Sequence, residues 1–252
     1  LVQYFDCKTC PRDLADDPLD KTASGQTDIP RLRKGGVGAL LLNVFGGDQT
    51  PESLFYGYDL VRRMEDAYQN DLKVVGSATE LRDTMKQGRI ALLPTLESSV
   101  RLKGSTAILR SLYRLGLRSV TLAYQTNEIA DGSDDEPKHN GLSETGREMV
   151  REMNRLGVLI DISHVSQKAM TDVLDLSKSP VIFSHSNVRA LSDVNRNVPD
   201  DVLKRLKTNG GIIMLTFVPY FTTNDHAKWL ADGDKVYFEQ QKLHNGDIEK
   251  MA

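Results

Sequence analysis

Long apolar runs are missing from this sequence. The longest, VGALLLNVF (37–45), falls far short of the ~20 residues that a bilayer-spanning helix needs, so no transmembrane segment is expected in the chain. An excess of one charge is missing too: 32 Lys and Arg stand against 35 Asp and Glu, a formal net charge of −3. Without a basic stripe, neither nucleic acid nor an acidic membrane surface is an expected partner. Cysteine is nearly absent. The two that occur, Cys7 and Cys10 in CKTC, have no second CxxC to complete a zinc knuckle and no thioredoxin-like unit around them, so they read as ordinary loop or surface cysteines. No N-x-S/T sequon occurs, which argues against a glycosylated secreted protein. No secretory signal is present, and the chain opens at Leu1 rather than Met, as in a mature form or a fragment. Histidine is scarce, with five in 252 residues, so the position of each one is informative.

The rest of the composition is that of an ordinary globular chain, 39% hydrophobic and 27% charged. The length suits one large α/β domain or two small ones and permits a sizeable core. After a polar first 30 residues, apolar runs alternate with stretches of helical periodicity. Strands are expected at 37–45, 89–97, 118–124, 158–164, 180–185 and 211–218, with a weaker one at 72–76. Helices are expected at 51–69, 77–88, 105–116, 142–157, 166–177 and 199–210, and again over the final ~30 residues. Ser77 with Glu80 forms a capping box, Ser166 is a natural N-cap, and Gly157 and Gly210 stand just past helix ends. Apolar strands joined by helical crossovers imply a parallel sheet covered by helices. Two closures compete, a doubly wound open sheet and a (β/α)8 barrel. The GGVG stretch precedes its strand rather than following it, the wrong order for a dinucleotide-binding loop, which favours the barrel. Six clear strands do not close an eight-stranded barrel, so the expected fold is one partial barrel domain over 1–252 that lacks two strands.

In parallel α/β folds, reactive groups gather at the carboxyl ends of the strands. The polar residues that end apolar runs here are Glu97, Tyr124, His164 and His185. Neighbouring parallel strands lie ~4.8 Å apart, so side chains from their ends can reach one ion. Two imidazoles and a carboxylate are a ligand set for zinc in a hydrolytic site. Asp161 precedes His164 by three residues on the same strand, so its side chain is expected to face the other way, as a structural or helix-pairing carboxylate. Arg189 and Arg196 follow His185 in a loop. Either could pair with a substrate carboxylate, or be a surface arginine or a partner for Asp200 or Asp201. Tyr124, with Asn127 just beyond it, could hydrogen-bond substrate or be an ordinary aromatic at a barrel rim. His139, His226 and His244 sit among polar residues and are expected to be solvated.

Several stretches, in order and spacing, resemble the membrane (renal-type) dipeptidase family, zinc peptidase family M19. They are TDIPRLRKGGVGA, GRIALLPTLES, LGLRSVTLAY, GLSETGREMVREMNRLGVLIDISHVS, SPVIFSHSNVRAL and NRNVPDDVL. The resemblance runs from about residue 26 to 218. It implies a TIM-like barrel with a two-zinc centre. In it Glu97 would be the catalytic, metal-bridging glutamate, His164 and His185 two ligands of one zinc, and Arg196 the residue that engages the substrate carboxylate. The implied reaction is hydrolysis of dipeptides, including those with a C-terminal D-residue, by a metal-activated hydroxide. The implied partner is thus a small dipeptide, and a homodimer is compatible with the family. Three departures stand out. No His-x-Asp pair precedes TDIP, no Asp-bearing Gly-rich stretch follows 218, and Tyr124 stands where many members have a substrate-contacting His. The missing motifs belong to the family's first and last barrel strands, so these 252 residues alone are expected to show weak or no activity. Two other readings stay open: a related metal-dependent hydrolase of amides or lactones, and a non-catalytic barrel homologue that binds a partner.

Overall fold

A computed structural model of the chain describes residues 14–15, 27–44 and 50–243. The CKTC motif, Phe45 and His244 lie outside the described residues. Among the described residues there are seven strands: β1 (Ala39–Asn43), β2 (Leu72–Val74), β3 (Ile90–Leu96), β4 (Ser119–Thr121), β5 (Leu159–Asp161), β6 (Ile182–Ser186) and β7 (Ile212–Leu215). The helices are α1 (Ile29–Lys34), α2 (Pro51–Ala67), α3 (Ala78–Lys86), α4 (Thr106–Leu115), α5 (Glu144–Leu156), α6 (Gln167–Leu176), α7 (Asp200–Asn209), α8 (Pro219–Thr222) and α9 (Asn224–Leu243).

Every strand pairing is parallel, and the sheet runs β1-β3-β4-β5-β6-β7. Helices connect the successive strands, as the alternation of periods predicts. β1 pairs residues 39–43 with 91–95 along one edge of β3. The other edge is shared end to end, β2 against 90–92 and β4 against 95–96. The weak strand near 72 therefore exists but lies off the main path. The six strands of that path are those of a TIM-like α/β barrel short of two strands, with β1 and β7 at the open edges among the described residues. Strand residues such as Leu92, Leu96, Val120, Ile160 and Phe183 are buried against Leu109, Leu112, Met149, Met153 and Val173 of the helices.

The caps fall where the sequence places them. Ser77 accepts from the Glu80 N–H while Glu80 reaches back to the Gly76 N–H. Ser166 caps α6, and Gly157 and Gly210 end α5 and α7 at φ 75° and 79°, a conformation that glycine adopts without steric penalty.

β7 stops at Leu215, three residues before the end of its apolar run, and β4 and β5 also stop short of theirs. β4 stops at Thr121, three residues before Tyr124, and β5 stops at Asp161, three before His164. At β5 the Asp161 carboxylate is the cause. Its Oδ1 takes the Ser163 and Ser184 N–H groups, and a side chain thus replaces the next rungs of the backbone ladder.

Between β4 and α5 runs a long polar loop, and its order comes from a second buried carboxylate. Asp131 accepts from the backbone N–H groups of Lys138, His139 and Gly141. His139 is not solvated as expected: its Nε2 lies 2.8 Å from the Asn127 carbonyl and pins the loop. The loop then packs on the first turn of α5 so tightly that a Cβ on Gly146 would stand 2.1 Å from the Ile129 carbonyl oxygen. Gly146→Ala should therefore cost about 1–3 kcal/mol through overpacking. Thermal unfolding should show a Tm lower by several degrees, at about 2–4 °C per kcal/mol. An unchanged Tm would mean that the loop yields without cost.

Candidate metal centre

Three side chains from three strand ends meet at the carboxyl rim of the sheet. Glu97 is the first residue after β3, His185 lies within β6, and His164 follows β5 in a turn with φ 69°. Glu97 Oε1 is 3.2 Å from Nε2 of His164 and 3.2 Å from Nε2 of His185. The two Nε2 atoms are 2.8 Å apart. Two ligand atoms of one tetrahedral zinc, each at 2.0–2.2 Å, lie about 3.3 Å from one another. The triangle is thus close to the size that a single ion requires, and among the described residues it is the one cluster of this kind. The three residue types are a zinc donor set, so the residues present fit the metal.

Glu97 is held by a residue that sequence reasoning passed over. Asn43, at the end of β1, donates from Nδ2 to Glu97 Oε2 (3.1 Å) and accepts the Glu97 N–H on Oδ1 (3.1 Å). The only signal was that Asn43 is the one polar residue inside an otherwise apolar run. Asp161 does not pair with a helix. Its Oδ2 accepts from Thr121 Oγ1 and Ser184 Oγ, each at 2.5 Å, so it binds β4, β5 and β6 together.

Arg196 is buried at 3% exposure, which removes the surface and helix-cap alternatives. It donates from Nη1 to Ser186 Oγ (2.9 Å) and from Nη2 to the His185 carbonyl (3.0 Å). Its Nε has no partner among the described residues. Burial lowers its pKa to about 10, opposed by the charges of Asp161, Glu97 and Asp134. Tyr124 is exposed, and its ring lies 4.4 Å from that of His164. Two cavities meet at Tyr124. One, of about 320 Å³, is lined by Asn43, Glu97, Arg101 and Thr126. The other, of about 280 Å³, is lined by Asp134, His164, Arg196, Tyr220 and Phe221.

Arg189 and Asn127 are bonded within the protein, although Asn127 also lines the cavity that holds Glu97. Arg189 turns to Gln167 and the Asn195 carbonyl. Asn127 is committed to the Leu122 carbonyl and to the N–H groups of Ile129 and Ala130. His226 packs beside Trp229.

A model of the membrane dipeptidase family, peptidase family M19, matches residues 6–241. The chain belongs to that family. Among relatives, dipeptidase tcpJ of Claviceps purpurea (strain 20.1) is 40% identical over 223 residues, covering 82% of this chain and 52% of the relative. The probable dipeptidase PvdM from Pseudomonas aeruginosa superposes with a TM-score of 0.74 at 28% identity, covering 80% of this chain and 56% of that one. Dipeptidase AC, a metallo peptidase of family M19, superposes with a TM-score of 0.75 at 25% identity over 80% of this chain and 66% of its own. The chain thus spans about half to two thirds of the length of these relatives.

The hydrogen bond from His164, and then the His185 imidazole beside it, hold the Glu97 carboxyl well below the usual carboxylate range. Burial pulls His164 below the ordinary 6.5, partly opposed by its bond to Glu97. In both cases the unfolded chain binds a proton that the folded chain refuses, so stability falls with pH. The His164 contribution is complete above pH 6.5 and starts to be lost below it; that of Glu97 is complete above pH 4.5 and is lost below that. The metal-free protein should lose Tm in two stages as pH drops from 8 to 2, the first below pH 6.5 and the second below pH 4.5. Glu97→Gln should flatten the lower stage. A Tm that held constant across both ranges would contradict these assignments.

Proposed function

We propose that this chain carries one wall of a zinc dipeptidase centre, within a partial metallo-dependent hydrolase barrel over 1–252. Glu97, His164 and His185 hold the metal, Arg196 receives the substrate's free carboxylate, and Tyr124 borders the substrate. The observation that carries this reading is the triangle of donor atoms at three strand ends with a buried, incompletely bonded arginine beside it.

When bound there, zinc supplies Lewis acidity toward a peptide carbonyl and brings the pKa of a water near 7. The chain's own residues supply the rest. Glu97 stays ionised at neutral pH, so it serves as a fixed negative ligand and not as a proton shuttle. Its Oε1 faces the imidazoles and its Oε2 faces Asn43, and the two-zinc centre that the family resemblance implies would use both oxygens. No His-x-Asp sequence occurs in this chain, so ligands of a second ion would come from beyond it.

Arg196 has five N–H donors and spends one on Ser186 and one on His185. The remainder, Nε among them, can take a carboxylate in forked geometry. A buried cation without a close counter-ion is costly, and an incoming carboxylate relieves that cost. Asp134 lines the same cavity, so the site presents both signs of charge, as a zwitterionic dipeptide does. The substrate class is accordingly a dipeptide with a free C-terminal carboxylate, D-configured C-terminal residues included, which is the class implied by the family resemblance.

Zinc titration of the chain is the first test, since it needs only donors present here. Wild type should bind zinc, and Glu97→Gln and His185→Ala should lose it. Hydrolysis of Ala-D-Ala-type dipeptides is then compared for the chain and for a form extended by the flanking barrel strands. In the active form, Arg196→Ala should lower kcat/KM for dipeptides about 10–100-fold, the worth of a charged hydrogen bond, and should spare the corresponding dipeptide amide. If neither form binds zinc, the reading as a metal centre fails and the non-catalytic reading takes its place.

A further inference from the structure

The mechanism above needs His185 to present a lone pair on Nε2, and the structure contains a device that ensures it. We propose that Asp161 and Ser184 form a hydrogen-bond relay that fixes the tautomer of His185, which makes them positioning residues for the metal centre. The proposal rests on the reading of His185 as a ligand.

Asp161 is buried at 2% exposure and its carboxylate meets four donors. The N–H groups of Ser163 and Ser184 reach Oδ1, each at 3.0 Å, while Thr121 Oγ1 and Ser184 Oγ lie 2.5 Å from Oδ2. An ionised carboxylate only accepts, so both hydroxyls give it their hydrogens. Ser184 has one hydroxyl hydrogen, and Asp161 takes it. Toward His185 Nδ1, 2.8 Å away, Ser184 Oγ therefore offers only a lone pair. Nδ1 must bring the hydrogen, and the neutral ring carries its proton there. Nε2, facing Glu97 and His164, is left with the lone pair that a metal requires.

The ring is fixed in position as well as in tautomer. The His185 N–H donates to Ser163 Oγ (3.1 Å), and its carbonyl accepts from Arg196 (3.0 Å). Ser163 belongs to the same chain segment whose N–H Asp161 holds. One buried carboxylate thus sets the ring's backbone through Ser163 and its proton through Ser184. The local sequences are D-I-S-H for the β5 end and F-S-H-S for β6, so each serine immediately precedes a histidine of the site.

The experiment reads the tautomer directly, without metal. Imidazole nitrogen chemical shifts are measured by NMR in protein carrying 15N-histidine, above the pH at which the ring is protonated. In wild type, His185 should be predominantly the Nδ1–H form. Ser184→Thr, which keeps the hydroxyl, should preserve that form. Ser184→Ala should lose it, and zinc affinity should fall with it by about 10–100-fold, the usual effect of losing an outer partner of a ligating histidine. A wild-type ring protonated mainly on Nε2 would overturn the proposal without any variant, as would an Nδ1–H form that persists in Ser184→Ala. Failure of wild type to bind zinc would instead defeat the metal-centre reading, while the metal-free spectra would still decide the relay.

Discussion

The interaction on which the rim of this sheet depends is the four-donor cage around the Asp161 carboxylate. A buried carboxylate is tolerable only when its lone pairs are filled, and here hydroxyls and backbone N–H groups of three neighbouring segments fill them. That requirement has a structural consequence. The N–H groups of Ser163 and Ser184 point at Asp161 and not at a neighbouring strand, so β5 ends and the chain is free to turn toward His164. The same carboxylate that closes the ladder therefore opens the site.

Around that cage the rim is a layer of small hydroxylated side chains, Thr121, Ser163, Ser184 and Ser186, between the apolar core and the ionisable groups. The layer does what water would do at an exposed rim, with fixed geometry. It ends at Arg196, whose guanidinium takes the Ser186 hydroxyl and the His185 carbonyl. Two charges of opposite kind are left unbalanced above it: lone pairs converging from Glu97 and the imidazoles, and a buried guanidinium with spare donors. The first is completed by a cation and the second by an anion. The two lie close because Arg196 binds the carbonyl of His185, whose ring is one of those donors.

Much of this was legible before any coordinates. Apolar runs ending in polar residues place Glu97, His164 and His185 at the rim, because parallel strands buried on both faces must change character where they leave the sheet. What the sequence did not disclose was direction. On an ideal strand Asp161 and His164 face opposite ways, and the geometry changes only because β5 stops and His164 takes a positive φ. Asn43 breaks the rule of the other rim residues, since it ends β1 but lies inside the apolar run 37–45, and an amide there suggests no chemistry until the Glu97 it holds is known. His139 looked solvated because its neighbours are charged, whereas the buried carboxylate of Asp131 folds those neighbours inward. Local pattern locates the rim; the long-range hydrogen bonds that shape it carry no local pattern.

The positive φ of His164 links the metal site to the loop that borders it. For a non-glycine residue this conformation is sparsely populated and persists only where its surroundings over-determine it. Here they do: the Ser133 N–H donates to the His164 carbonyl (2.7 Å), and Gly132 bridges Val165. Both contacts come from the loop between β4 and α5, the segment that also supplies Tyr124 and Asp134 to the cavity beside Arg196. Tyr124 then lies against the His164 ring itself. The loop that lines this cavity is thus the loop that holds His164 in its strained turn, and on the reading of His164 as a metal ligand the shape of the cavity and the geometry of the donor triangle both depend on the Ser133 and Gly132 contacts.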